Sequence, residues 1–286
     1  MTETARGRST LGDLSVDAEV KERALERIVS AMEAVVVAYS GGVDSAYLAW
    51  IAQRTLGDRA WAVTADSASY SERHRSLAVH VAEVCGLRHE IVHTHEVEQA
   101  GYRANPTNRC YFCKRELYTC LGPLAAARGA VIVDGNNADD RSDYRPGRLA
   151  ARELGVRSPL DEVGLVKTEI RQLARRAGVP VWDEPASACL SSRIPYHSEV
   201  TVEKLRTIER AERALGRLGF RVCRVRHHGE LGRVEIGPDE LARAFEPNMH
   251  AAIVRELTAA GYRAVTVDPR GYRTGSLNEG LWLRPG

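Results

Sequence analysis

Val35-Val36-Val37-Ala38-Tyr39-Ser40-Gly41-Gly42-Val43-Asp44-Ser45 is the stretch on which the fold turns. The apolar run Val35–Tyr39 predicts a buried strand. The paired glycines Gly41 and Gly42 predict a turn whose backbone approaches a ligand closely. The segment beginning Ala46-Tyr47-Leu48-Ala49-Trp50 reads as an amphipathic helix. Strand, glycine turn and helix in that order make an anion cradle, because a helix start offers unpaired N–H groups and the positive end of its dipole. Ser40 and Ser45 add hydroxyl donors, and Asp44 is placed to hold a metal ion or to brace the loop. The plain alternative is an ordinary strand-to-helix turn. The loop is not of the Walker A kind, which carries a lysine that this one lacks.

Outward from this stretch, strands are expected at Ala60–Ala65, His89–His93 and Ala130–Asp134, with helices at Val16–Met32, Arg73–Cys85 and Lys114–Arg128 between and before them. Alternating strands and helices imply a parallel sheet with helices on both faces. Ligands of such sheets bind beyond the carboxyl ends of the strands. The Ser40 loop, Asp66–Tyr70 and Asp134–Asp140 are therefore expected around one crevice. A further helix is expected over Leu165–Gly178, stopped by Gly178 and Pro180. Trp182–Tyr196 has no clean periodicity and reads as a functional loop and domain junction. Beyond it, helices at Thr201–Leu218, Pro238–Phe245 and Asn248–Ala260 and strands at Arg221–His228, Leu231–Ile236 and Ala264–Asp268 describe a small α+β domain. The expected division is 15–185, a junction loop 186–200, and 201–275, after a loose tail over residues 1–14.

Composition bounds the function. A chain of 286 residues with 44% apolar and 27% charged residues is an ordinary globular protein with room for two domains. A net charge of +2 gives no broad field for nucleic acid or an anionic membrane, although arginine greatly outnumbers lysine. No apolar run reaches the roughly 20 residues of a membrane span, and Met1–Asp13 has no apolar signal core. A cytoplasmic, reducing location is expected, where the six cysteines serve as thiols, metal ligands or catalysts rather than as disulfides.

Cys110 and Cys113, in Arg109-Cys-Tyr-Phe-Cys-Lys114, have the spacing of a metal pair, a redox dithiol, or simply two cysteines at a helix start. No second CxxC or CxxH accompanies them. Cys189 lies among small residues in Ala186-Ser-Ala-Cys-Leu-Ser-Ser-Arg-Ile-Pro195, where Arg193 is close enough in sequence to favour its thiolate. Cys85, Cys120 and Cys223 read as small buried hydrophobes. On the last domain, strand alternation puts Arg224, Arg226 and His228 on one face, a phosphate-binding stripe or an exposed polar face. His89, His93 and His95 read as structural.

The hexapeptide Ser40–Ser45 resembles the pyrophosphate loop of ATP pyrophosphatases. A longer ordered set follows it: Asn105-Pro106, Arg109–Lys114, Asp134–Asp140, Asp143-Tyr-Arg-Pro-Gly147, Ser158-Pro-Leu160, Lys167-Thr-Glu-Ile-Arg171, Trp182-Asp183 and Ala188–Tyr196. From about residue 15 to residue 270 the chain resembles the LarE family, ATP-dependent sulfur transferases of nickel-pincer nucleotide cofactor biosynthesis. The resemblance implies a Rossmann-like, HUP-type PP-loop sheet. It implies adenylation of carboxylates of pyridinium-3,5-biscarboxylic acid mononucleotide, with sulfur then replacing the activated oxygen. It makes Cys189 the catalytic cysteine, which in single-cysteine members gives up its own sulfur and becomes dehydroalanine. With Cys110 and Cys113 also present, the sequence is similar to the three-cysteine members that bind a [4Fe–4S] cluster.

On this reading Ser40, Gly41, Gly42, Asp44 and Ser45 hold ATP with Mg²⁺, and Lys114 and Lys167 are the candidate cations for the leaving pyrophosphate. Asp66, Ser67 and Tyr70 are placed for adenosine, and Asn136, Asn137 and Asp140 close the pocket. Arg109, Arg193, Arg224 and Arg226 are candidates for the substrate's phosphate and carboxylates. The family resemblance further implies a homo-oligomer, a hexamer, with sulfide from an outside source. Rival functions are transfer-RNA thiolation, which would bring a broad basic surface, an amidating synthetase, a nucleotide sensor without catalysis, and a zinc-binding structural protein.

Overall fold

A computed structural model describes residues 16–141, 146–185 and 188–273. The expected tail, Asp143–Arg145 of one motif, and Ala186 and Ser187 of the junction lie outside the described residues. The chain runs α1 (Val16–Ser30), β1 (Val35–Ala38), α2 (Val43–Leu56), β2 (Ala60–Asp66), α3 (Glu72–Val84), β3 (His89–His93), α4 (Ala100–Arg103), α5 (Arg109–Ala127) and β4 (Val131–Asp134). It continues through α6 (Gly147–Glu153), α7 (Pro159–Glu162), α8 (Lys167–Arg176), α9 (Val202–Arg217), β5 (Cys223–His228), β6 (Leu231–Ile236), α10 (Leu241–Ala244), α11 (Pro247–Ala260) and β7 (Ala264–Val267).

Two compact units emerge. The first comprises residues up to 65, 74–92 and 117–184, and the second comprises 66–73, 93–116 and the chain from 185 on. The division is less simple in sequence than 15–185 followed by 201–275, and backbone hydrogen bonding gives the reason. Leu190 N–H donates to the Ser69 carbonyl at 2.9 Å, His197 N–H to Asn105 at 2.9 Å, and Val200 N–H to Arg103 at 2.9 Å. These bonds tie the segments 66–73 and 93–116 to the chain after residue 185.

The first unit is built on a parallel sheet in the order β3-β2-β1-β4. Val35 pairs with Ala60 on one side and Val131 on the other, so β1 is central. All four residues of β1 are buried, as an unbroken apolar run predicts for a strand covered on both faces. Arg157 extends the sheet beyond β4 by a single parallel bridge to Val133. The core joins Val35 and Val37 to Leu48 and Ile51 of α2 and Ile170 and Leu173 of α8. Strand order runs β1 to β2 to β3 in one direction, and β4 then falls on the opposite side of β1. Ligands of such sheets bind at that reversal, beyond the carboxyl ends of β1 and β4.

The second unit contains the antiparallel pair β5–β6, with β7 added parallel to β6. Helices α9 and α11 bury Ala211, Leu215, Ile253 and Leu257 against Val225, Val234 and Ile236. This is the small α+β arrangement expected from the sequence.

Candidate functional site

In the first unit, the loop after β1 and the loop after β4 meet at the start of α2. Gly41 has φ +69°, and a Cβ there would fall 2.7 Å from the Ala78 Cβ, so both conformation and space demand glycine. A Cβ on Gly135 would fall 2.9 Å from the Ser45 backbone nitrogen. Ser45 Oγ accepts from Ser40 N–H at 3.1 Å and donates to the Gly42 carbonyl at 3.1 Å, closing the loop on itself. The Ser40 and Ser45 hydroxyls are 3.1 Å apart. The Gly42 N-cap has no side-chain cap, so the first N–H groups of α2 have no intrahelical partner and keep their affinity for an anion.

Asp44 stands in the first turn of α2, and one of its oxygens, Oδ2, pairs with the Lys167 ammonium. The other, Oδ1, is buried with no hydrogen-bond partner. Burial pushes the Asp44 carboxyl above its ordinary value; Lys167 opposes this and the Asp140 charge adds to it. An orphaned hard oxygen at the foot of an anion cradle fits a hard dication such as Mg²⁺.

The Asp134–Asp140 loop holds Lys167 in place. Asp134, almost wholly buried, accepts from the Tyr118 hydroxyl at 2.7 Å, the Ser158 hydroxyl at 2.7 Å and the Asn136 amide at 2.6 Å. Asn137 N–H donates to Asp140 at 3.0 Å, and Asp139 N–H donates to the Asn137 side chain at 3.0 Å. Lys167 N–H, at the start of α8, then donates to Asp139 at 2.8 Å. The motif is thus a self-braced loop that fixes the N-terminus of α8.

In the second unit, Cys110 and Cys113 occupy the first turn of α5, which starts five residues before the expected Lys114. Cys110 is exposed, while Cys113 is half-buried and packs against the apolar cluster that includes Val97, Tyr102, Leu190 and Ile194. Burial, with the Glu96 charge added, pushes the Cys113 thiol far above its usual range. Cys189 is half-buried and caps the short 3₁₀ turn Leu190–Arg193.

Buried guanidiniums frame that turn. Arg193, 1% exposed, makes a two-pronged pair with Glu212 at 2.8 and 3.0 Å. Its remaining nitrogen donates to the carbonyls of Ala188 at 2.7 Å and Cys189 at 3.0 Å. Arg226 pairs with the fully buried Glu235 at 2.8 Å and donates to the Ser192 carbonyl at 2.9 Å. Arg109 donates to the Asn105 side chain and, at 3.0 Å, to the Ser191 carbonyl. Burial lowers its basicity, but Cys189, Tyr102 and Cys110 around it outweigh that and raise it. Arg224 lies over the Tyr272 ring, and burial followed by the Arg193 charge pushes it below the usual arginine value.

The structure thus joins Ser40, Gly41, Gly42, Asp44, Ser45 and Lys167 in the first unit. It places Cys110, Cys113, Cys189, Arg109, Arg193, Arg224 and Arg226 in the second, together with Lys114 and Asp66. Among the described residues, no three His, Cys, Asp or Glu side chains are gathered to hold a metal ion. The sequence reading missed Glu212, Glu96 and Tyr102. One of these left a signal: Glu212 continues the buried stripe Leu205, Ile208 and Leu215 of α9, where a carboxylate needs a buried cation.

Residues 18–117 match the NAD synthase family. The chain is similar to an uncharacterized protein of Synechocystis sp., slr1717, at 44% identity over 92% of this chain and 98% of that protein. It is 33% identical to the pyridinium-3,5-bisthiocarboxylic acid mononucleotide synthase of Lactiplantibacillus plantarum, over 91% of this chain and 95% of the synthase. Similarity to the NH(3)-dependent NAD(+) synthetase of Chlorobaculum tepidum is 28% over 54% of this chain and 58% of the synthetase.

Proposed function

The chain belongs to the LarE family of ATP-utilising PP-loop sulfur transferases, and on that premise we propose that it adenylates pyridinium-3,5-biscarboxylic acid mononucleotide and exchanges carboxylate oxygen for sulfur. The observation that carries this reading is the Ser40–Ser45 cradle at the reversal of strand order, with Asp44 and Lys167 facing each other beside it.

The cradle's N–H groups and serine hydroxyls bind the β- and γ-phosphates of ATP. Asp44, with its orphaned oxygen, would hold Mg²⁺, which would supply charge compensation for the phosphates. A substrate carboxylate oxygen attacks the α-phosphorus and pyrophosphate leaves. Lys167, now paired with Asp44, turns to the departing charge. Lys114 is the second cation proposed for that charge, and Asp66 is proposed for adenosine. The acyl-adenylate then offers a carbonyl carbon with a good leaving group, and sulfur delivered at Cys189 attacks it and expels AMP. Arg109, Arg193, Arg224 and Arg226 are proposed to lend positive charge to the anionic substrate from behind the Cys189 turn, whose carbonyls three of them brace.

Cys110, Cys113 and Cys189 are thiols of the kind that hold iron–sulfur clusters, and all three belong to one unit. Together they would hold a [4Fe–4S] cluster, and such a cluster would supply sulfide-level sulfur for the transfer. A second reading starts from the finding that, among the described residues, no three His, Cys, Asp or Glu side chains stand as a ready metal-holding group. In that case Cys189 donates its own sulfur and ends as dehydroalanine. Among the described residues no helix is long and apolar enough to cross a membrane, and a cytoplasmic homo-hexamer is part of the proposal.

Anaerobic incubation with ATP, Mg²⁺ and the dicarboxylate nucleotide tests the reading, with product and protein masses taken together. Thiocarboxylate formed over many turnovers by a chain of unchanged mass is the expected result. One turnover with loss of one sulfur from the chain selects the sacrificial route. Pyrophosphate release without any thiocarboxylate rejects sulfur transfer altogether.

A further inference from the structure

We propose that Glu96 is a positioning residue for Cys189, acting through Ser67 and Ser69 to fix the turn that carries the reactive sulfur. The proposal rests on the sulfur-transfer role of Cys189 argued above. Glu96 opens the 3₁₀ turn Glu96–Glu98 and is 2% exposed. A carboxylate is buried this deeply only when its hydrogen bonds are needed, since removing it from water is strongly unfavourable. Its partners are two hydroxyls on the same oxygen: Ser67 at 2.5 Å and Ser69 at 2.7 Å. Among the described residues no cation pairs with it. Ser69 N–H also donates to the Ser67 hydroxyl at 3.2 Å, so the segment after β2 is wound around this one oxygen.

The purpose of that winding lies in the next bond. The Ser69 carbonyl receives Leu190 N–H at 2.9 Å, one residue past Cys189. Leu190 N–H opens the 3₁₀ turn and has no partner within it, so Ser69 supplies what the turn lacks. The same short stretch of chain holds the turn from a second side. Tyr102, six residues after Glu96 and fully buried, meets the Ser191 hydroxyl at 2.6 Å. Val97 and Tyr102 pack with Leu190 and Ile194 in one apolar cluster. The carbonyls of the turn are taken by Arg193, Arg109 and Arg226, which leaves Ser69 as the holder of the N–H next to the sulfur-bearing residue. An attacking atom needs sub-ångström placement, and a shift of about 1 Å in such a support lowers a rate by about 100-fold.

Three variants, Glu96→Ala, Glu96→Gln and Ser69→Ala, are compared with the native enzyme by three measurements. These are ATP–pyrophosphate exchange at saturating ATP, single-turnover thiocarboxylate formation, and the iodoacetamide alkylation rate of Cys189 relative to Cys110, read by peptide mass. Glu96→Ala is expected to lower sulfur transfer about tenfold or more while exchange stays within about twofold. Glu96→Gln keeps an accepting oxygen and is expected to recover transfer to within about threefold of native. The Cys189 alkylation ratio is expected to change at least about fivefold in Glu96→Ala as the turn loosens. Ser69→Ala is expected to shift both quantities in the same direction by a smaller factor, which keeps the test alive if Glu96→Ala does not fold. Native transfer in both alanine variants overturns the proposal, as does an equal loss of exchange and transfer, or a Gln variant no better than Ala. If native enzyme forms no thiocarboxylate, the functional reading fails; an unchanged alkylation ratio then still decides against Glu96 on its own.

Discussion

Asp44 is where stability and chemistry pull in opposite directions. Its carboxyl is held above the ordinary value of 3.8 chiefly by burial. The folded protein therefore binds a proton more readily at Asp44 than the unfolded chain does, and stability falls as pH rises from the unfolded value through the folded one. At neutral pH the charged form is a net liability in the absence of nucleotide and dication. Asp44→Asn is expected to raise stability at pH 7, with the gain shrinking as pH falls toward the ordinary carboxyl value of 3.8 and absent below it, where the carboxyl is protonated in both states. Urea titrations across pH without Mg²⁺ or ATP measure the difference, and the same variant is expected to lose pyrophosphate release. A gain that grows toward acid pH would contradict the sign. Gly41 presents the steric counterpart. Gly41→Ala combines a left-handed backbone with a 2.7 Å approach to Ala78 and is expected to destabilise by about 1–3 kcal/mol and to abolish ATP–pyrophosphate exchange. Wild-type exchange in this variant would mean that the loop does not keep its shape during binding. Both glycine and aspartate were legible from the hexapeptide alone. The orphaned Asp44 oxygen was not, because it depends on Lys167, 123 residues away.

Elements were legible where burial dictates composition. The apolar run of β1, three valines and an alanine, stood out because a strand covered on both faces excludes polar residues. Helix α9 was equally plain from its period, and its start carries a measurable contribution. Thr201 Oγ1 accepts Lys204 N–H at 3.3 Å, satisfying one orphan donor of the first turn. Thr201→Ala is expected to reduce unfolding free energy by about 1 kcal/mol, read as a lower denaturant midpoint with an unchanged slope. An unchanged midpoint would show that the first turn frays in the native state. The start of α5 was misplaced by five residues because its first turn, Arg109-Cys-Tyr-Phe-Cys, has no helical apolar stripe of its own. Tertiary contacts decide it: Arg109 is anchored on Asn105 and Ser191, and Cys113 on the Tyr102 cluster. The short 3₁₀ turn at Glu96 and α4 were invisible for the same reason, since pieces of three or four residues carry no period.

At the scale of the whole molecule, chain continuity and compactness part company. Segments 66–73 and 93–116 interrupt the PP-loop sequence yet belong with the chain beyond residue 185. The pattern of strands gives no hint of this, because the deciding bonds are backbone pairs across more than ninety residues, such as Asn105 with His197 and Arg103 with Val200. The division has a functional consequence. The phosphate cradle, Asp44 and Lys167 belong to one unit, and all three motif cysteines, with Lys114 and Asp66, belong to the other, so on the proposed function the cradle and the sulfur-bearing residue can be probed by separate substitutions. Lys167→Met removes the cation beside Asp44 and is expected to lower ATP–pyrophosphate exchange by about 10²–10³, with thiocarboxylate formation falling in step because no acyl-adenylate is made. Cys189→Ala is expected to leave exchange within about twofold and to abolish thiocarboxylate formation, because the chemistry it removes comes after pyrophosphate has left. Isotope exchange and product mass on the same preparations measure both. If Cys189→Ala suppressed exchange as strongly as Lys167→Met, the cysteine would be part of the activation step and the two steps could not be probed separately. If it sustained native sulfur transfer, the sulfur would have to come from Cys110 or Cys113, or from a donor that needs no protein thiol.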